Sequence, residues 1–283
     1  MSILRKIKNY LPLLKSLQTG LLTITGIAGY LSAKQDVFQW DVFIALFISL
    51  VLSISGSTVL NMWYDHDIDK LMDRTHHRPL AVGRIPLNNA LIFGILLSVF
   101  GVLLGVVMKP LYGFILFLGI FFDYAVYTYW LKRRTCWSVV WGGLAGGMPV
   151  LAGRVLGLGY IDFVGILLAL SVLFWIPTHM LTFSIRYKDD YRSAKIPTFP
   201  STFGDGITRK TVAFSSIIAG LLISLAAITI GIRQGYLHAL GVLSVVLIVF
   251  SFLVMVKPSN KLNFGLFKYA SVYMLVSMLL LSI

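Results

Sequence analysis

Nine apolar stretches, each close to the roughly 20 residues that carry a helix across a bilayer, follow one another along a chain of 283 residues. They fall at roughly 16–33, 42–64, 88–108, 111–130, 139–156, 161–185, 211–232, 236–256 and 264–283. A spanning segment has to satisfy its own backbone hydrogen bonds, so such a chain folds as helices. The fold class read from the sequence is therefore all-α, one integral membrane bundle over residues 1–283. With 58% hydrophobic and 12% charged residues, a soluble two-domain protein is excluded. No small-residue cleavage site follows the basic stretch MSILRKIKNYLPLLK, which predicts that the N-terminus is retained.

Charge orients the bundle. All the Lys and Arg except Lys34, Lys109, Arg154 and Arg233 fall before the first span or in alternate connections after it. An odd span count with that split predicts a multi-pass protein of the cell membrane with a cytoplasmic N-terminus and a C-terminus on the opposite side. The net charge of +13 thus reflects cations in short loops beside apolar spans, and no nucleic-acid partner is expected. Every acidic residue is Asp, and most sit in two long cytoplasmic connections, 65–87 and 186–210. Their placement four helices apart suggests two pseudo-repeated halves. Cys136 is the sole cysteine, which rules out an intrachain disulfide, and it is read as a bystander.

Chemistry concentrates first in NMWYDHDIDKLMDRTHHRPL. Asn61, Asp65 and Asp69 are separated by four-residue steps, which drift about 40° each on a helix and so share a face. Two carboxylates one turn apart repel unless a cation lies between them, and hard oxygen donors suit Mg²⁺. The alternative is a solvated helix end. Asp67 points the other way and is expected in solvent; Arg74 and Arg78 follow as phosphate-binding cations.

A second constellation, IRYKDDYRSAKIPTFP, holds Arg186, Lys188, Asp189, Asp190, Tyr191, Arg192 and Lys195. Adjacent acids diverge by about 100° on a helix, so one of them faces a shared site, and Asp190 is preferred. The cations around it, Lys188 and Arg192 among them, are of the kind that hold phosphate oxygens, or else signal topology. Inside the spans, Asp123 is costly enough to imply a partner or cavity. Tyr127, with Tyr124 and Tyr129, could face a developing carbocation or belong to an aromatic belt. His179 could ligate a porphyrin iron, act as a base, or be hydrogen-bonded structure. Gly142, Gly143, Gly146, Gly147 and Pro149 allow close packing or a break that opens space for a ligand.

The stretches NMWYDHDIDKLMDRTHHRPLAVGRI, YTYWLKRRTCWSVVWGGLAGGMPVLAG and WIPTHMLTFSIRYKDDYRSAKIPTFPSTFG resemble the UbiA superfamily of intramembrane prenyltransferases, and most of all its heme-farnesylating branch. That resemblance implies nine transmembrane helices around a lateral cavity, with cytoplasmic loop caps. It also implies Mg²⁺ as cofactor, farnesyl diphosphate as donor and heme B as acceptor. By position, Asn61, Asp65 and Asp69 would bind metal and diphosphate, Arg78 and Lys132 would neutralise phosphate charge, and Asp190 would supply the second metal motif. Two departures stand out: Arg186 replaces an earlier Asp of the second motif, and Lys15-Ser16-Leu17 replaces the usual Lys-Pro-Arg. The competing readings are a prenyltransferase with a quinone-precursor or lipid acceptor and, in a different class, a membrane transporter.

Overall fold

The computed structural model describes residues 9–35 and 37–283. Among them nine long helices follow a 3-10 turn at Leu11–Leu14: α1 (Ser16–Leu31), α2 (Trp40–Tyr64), α3 (Leu87–Met108), α4 (Pro110–Leu131), α5 (Ser138–Leu158), α6 (Phe163–Arg186), α7 (Phe199–Ile230), α8 (Gln234–Val256) and α9 (Asn260–Leu281). Eight are long and apolar enough to cross a membrane; α1, with 16 residues, is shorter. The nine-helix reading holds with that qualification.

Two elements differ from the sequence reading. The sixth-to-seventh connection, expected over 186–210, is largely helical: a short helix spans Lys188–Ser193 and α7 already starts at Phe199. The start signal is local. Thr198 and Ser201 cap each other's backbone N–H, with Pro200 in the first turn. The chain then kinks at Gly204, whose φ of 79° suits glycine. The Gly146–Pro149 run opens no break either, since α5 continues through it with all four residues buried. Its glycines serve packing. A side chain on Gly147 would strike the Ala169 carbonyl on α6, and one on Gly153 would collide with the Gly26 carbonyl on α1.

Lipid supplies no hydrophobic drive between helices, so close approach and interhelical hydrogen bonds hold the bundle together. Ser49 meets the Tyr112 hydroxyl at 2.6 Å, Thr178 meets Ser216 at 2.8 Å, and Ser244 meets Tyr273 at 3.0 Å. Such bonds contribute on the order of 0.6 kcal/mol each. The α5 window is 61% buried, whereas those of α3 and α8 are 22% and 28% buried, so α5 is central and the other two form the lipid-facing rim.

Both acidic segments lie at the same end of the bundle and dock on each other. Ile68 and Met72 from the first pack against Tyr191, Ala194 and Ile196 from the second. The Ser193 hydroxyl donates to the Leu71 carbonyl at 2.7 Å.

Candidate active site

The last two turns of α2 carry Ser57 and Asn61, Asp65 caps it, and Asp69 ends the short helix His66–Asp69. The break between these helices does not disturb the spacing. Asp65 N–H donates to Asn61 O and Asp69 N–H to Asp65 O, both at 2.9 Å, so one helical register runs through all three residues. Asp65 and Asp69 are only 4% and 5% exposed.

Opposite stands a wide-turn π-helix, Phe121–Leu131, the second half of α4. Such segments are rare and occur mostly at functional positions. Its pitch brings Asp123, Tyr127 and Lys132 toward α2. Asp123 Oδ2 accepts from Ser57 Oγ at 2.6 Å and from the Asn61 amide at 2.7 Å. Lys132 donates to Asp65 Oδ2. Burial lowers the Lys132 pKa, but the Asp65 carboxylate more than offsets this, and the ammonium is held well above its ordinary range. Tyr127 lies beside it, with the Lys132 nitrogen 5.9 Å from the ring centre.

Arg78 Nη1 donates to both oxygens of Asp69, at 2.9 and 2.8 Å. Arg133 pairs with exposed Asp67 at 2.7 Å and donates to the Tyr64 carbonyl at 2.9 Å. This ion pair pulls the Asp67 carboxyl below its ordinary range. Lys15 completes the ring of cations from the turn before α1, in a left-handed conformation with φ of 43°. Burial brings its pKa down to about 8, reinforced by Arg78 and Lys132 and opposed by Asp123 and Asp65. The sequence reading missed Arg133 altogether and gave Lys15 no part in the site. The available signal was a lone lysine wedged between an apolar turn and the first span.

Of the buried oxygens that lack a hydrogen-bond partner among the described residues, two belong to this site: Asn61 Oδ1 and Asp65 Oδ1, the latter with the Arg133 guanidinium 3.9 Å away. Leaving such acceptors dry is costly, so the pair calls for a ligand. Their chemistry fits a hard divalent cation. No group of three His, Cys, Asp or Glu side chains among the described residues forms a closed metal cage. A cation here would have to draw its remaining ligands from substrate and water.

The second acidic segment contributes differently. Asp190 accepts from the backbone N–H of Asp73 at 3.2 Å and of Arg74 at 3.3 Å, tying the caps together. Arg74 lies over Phe183 at 4.9 Å and over Tyr187 at 5.6 Å. Lys188 pairs with Asp205 at 3.2 Å, and Arg192 is exposed at the rim. Deeper in α6, His179 is sandwiched between Trp175 and Phe267, with ring centres 5.0 and 4.4 Å away. Its Nδ1 meets Ser271 Oγ at 3.2 Å. Cys136 is buried and free. A cavity of 510 Å³ beside Tyr30 and Lys109 lies at the other ends of the helices and contains none of these residues.

The family model described as the UbiA prenyltransferase family matches residues 22–275. The chain belongs to the UbiA prenyltransferase family. As a member it is a multi-pass membrane prenyltransferase, which overturns the transporter reading. Relatives named protoheme IX farnesyltransferase include one from Korarchaeum cryptofilum (strain OPF8), 40% identical over 77% of this chain and 73% of its own length. Another, from Rickettsia felis, is 33% identical over 98% of this chain and 91% of its own. Among solved structures, a digeranylgeranylglyceryl phosphate synthase superposes with a TM-score of 0.82 at 21% identity, covering 98% of each chain. A UbiA homolog from Archaeoglobus fulgidus bound to GPP and Mg²⁺ superposes with a TM-score of 0.72 at 17% identity, covering 97% of this chain and all of its own. Both share the fold of this UbiA-family chain.

Proposed function

We propose that this prenyltransferase moves a farnesyl group from farnesyl diphosphate to a vinyl group of heme B in a Mg²⁺-dependent reaction, giving heme O. The observation that carries the site is the pair of orphaned oxygens, Asn61 Oδ1 and Asp65 Oδ1, framed by Lys132, Arg78 and Lys15. The acceptor follows from relatives named protoheme IX farnesyltransferase at 33–40% identity over most of their length. The N-terminus and both acidic caps face the cytoplasm in this reading, on the strength of the uneven cation distribution.

Asn61, Asp65 and Asp69 would hold Mg²⁺, with Asp190 stationed on the facing cap. Bound there, the metal supplies positive charge to the departing diphosphate. Lys132 and Arg78 each engage one acid, and both are poised to turn a donor toward phosphate oxygens as negative charge builds. Arg74 stands over the aromatic entrance, while Lys188 and Arg192 attract the anionic head group from the rim. As the allylic C–O bond breaks, the Tyr127 ring faces the developing carbocation. The heme vinyl carbon then attacks the allylic carbon, and water captures the resulting benzylic-type cation and loses a proton, leaving a hydroxyethylfarnesyl side chain. His179 sits among aromatic rings where it can contact the acceptor. Docked caps keep water from the first cation.

Incubating the purified protein with Mg²⁺, farnesyl diphosphate and either heme B or hydroxybenzoate tests this by product mass. Heme gaining one farnesyl group and one hydroxyl group is expected; prenylated hydroxybenzoate with unchanged heme would move the assignment to a quinone-precursor acceptor.

A further inference from the structure

Among the cations near the caps that pair with no carboxylate, two share one aromatic ring as a neighbour. Arg186, at the end of α6, lies 3.8 Å from the centre of the Phe264 ring, and Lys268 of α9 lies 4.8 Å from the same ring. Both are exposed, and neither pairs with a carboxylate among the described residues. Two cations beside the same ring raise the local positive potential, which favours an anionic ligand there.

The helix geometry extends this pair into a binding face. His179, Phe183 and Arg186 recur at four- and three-residue steps on α6, and Phe264, Phe267, Lys268 and Ser271 recur the same way on α9, so each set forms one stripe. The stripes meet: Phe267 stacks on His179 at 4.4 Å and lies 5.5 Å from Phe183. From Arg186 down to His179 the helix rises by about 10 Å. An apolar, aromatic seam thus begins at two unpaired cations and ends at an imidazole.

Ser271 Oγ lies 3.1 Å from the Phe267 carbonyl and 3.2 Å from His179 Nδ1; when the hydroxyl donates to the carbonyl, its lone pair accepts from Nδ1–H. Nε2 then carries the free lone pair, the tautomer that metal-ligating histidines adopt when an oxygen binds the other nitrogen.

We propose that Arg186 and Lys268 bind the two carboxylate side chains of the acceptor macrocycle, fixing it along the α6–α9 seam with its acidic edge toward the caps. The ring plane lies against Phe183 and Phe264, and the central iron comes level with His179 Nε2. Arg186 is then the acceptor's anchor. This inference rests on the heme reading above and adds the acceptor's orientation to it.

Binding of heme B and of its dimethyl ester, followed by Soret absorbance on the full-length protein in nanodiscs, tests the assignment. The wild type is expected to bind the free acid at least about tenfold more tightly than the ester, the scale of one or two charge-assisted hydrogen bonds. The double variant R186Q/K268Q should bind both alike, R186K/K268R should restore the preference, and affinity for a farnesyl diphosphate analogue should stay unchanged in each. Discrimination that persists in the Gln variant, or a wild type that farnesylates heme yet binds acid and ester equally, overturns this proposal alone. A wild type that neither binds nor farnesylates heme overturns the functional reading as well.

Discussion

Asn61 and Asp123, 62 positions apart, are joined by a 2.7 Å hydrogen bond from the Asn61 amide to the Asp123 carboxylate. Spending the NH₂ end of Asn61 this way aims its carbonyl oxygen at the acids below. The intramembrane aspartate thereby fixes the orientation of the Asn61 amide.

Replacing Asp123 by Ala strands both the Ser57 hydroxyl and the Asn61 amide without their acceptor. A stability loss of about 1–3 kcal/mol is expected from the unpaired groups. Freed to rotate, Asn61 should also raise the Mg²⁺ concentration needed for half-maximal turnover. Metal titration of D123A alongside D123N measures this, and an unchanged midpoint in D123A would show that Asn61 does not depend on Asp123.

Asp65→Asn and Asp69→Asn keep shape while removing charge. Turnover should fall by roughly two to three orders of magnitude, as when a preorganised electrostatic group is lost at a reacting centre. Alanine is the poorer choice, because it removes the hydrogen-bond acceptor of Lys132 or Arg78 along with the counter-charge and leaves a cavity. Single-turnover rates, with circular dichroism as a folding control, decide the matter; wild-type rates in either Asn variant would remove that acid from the mechanism.

Asp190→Ala breaks the bonds to the Asp73 and Arg74 backbone. The first cap should loosen, with faster amide exchange at residues 73–76 and a KM for farnesyl diphosphate raised about tenfold. Loss of kcat with unchanged KM and exchange would instead identify Asp190 as a direct metal ligand.

Lys15 gives the ligand-free site a pH dependence. Its pKa is depressed to about 8, so the ammonium is present below that value and lost above it. Anion binding favours the protonated form. Metal-free affinity for a non-hydrolysable diphosphate analogue should thus weaken as pH rises through about 8, and K15R should flatten that step. Isothermal titration at pH 7 and pH 9 reads the difference, and a step that survives in K15R belongs to another group.

Much of this was legible because membrane helices and four-residue spacing leave strong periodic marks. Asn61, Asp65 and Asp69 read correctly as one face, and Asp67 as outward, since helical phase alone fixes those directions. Lys132 could be named from motif resemblance, but its partner could not: reaching Asp65 depends on the wide turns after Phe121, which no local propensity announces. The start of α7 was missed because Ser201, Thr202, Gly204 and Asp205 interrupt its apolar residues, and a search for apolar length passes over Thr198 and Ser201. Asp190 was placed in the right cap, yet its backbone bonding arises from contact between segments more than a hundred residues apart.

The over-wide stretch Phe121–Leu131 makes the chain unusually intolerant of a change in length at that point. Deleting one residue while the wide turns persist would swing every later position by one helical step, on the order of 100°. Lys132 and Tyr127 would be carried to different sides of the helix, and the bilayer-crossing scaffold could survive intact while its counter-charge faced lipid. The site therefore depends on residue count in this segment as much as on residue identity.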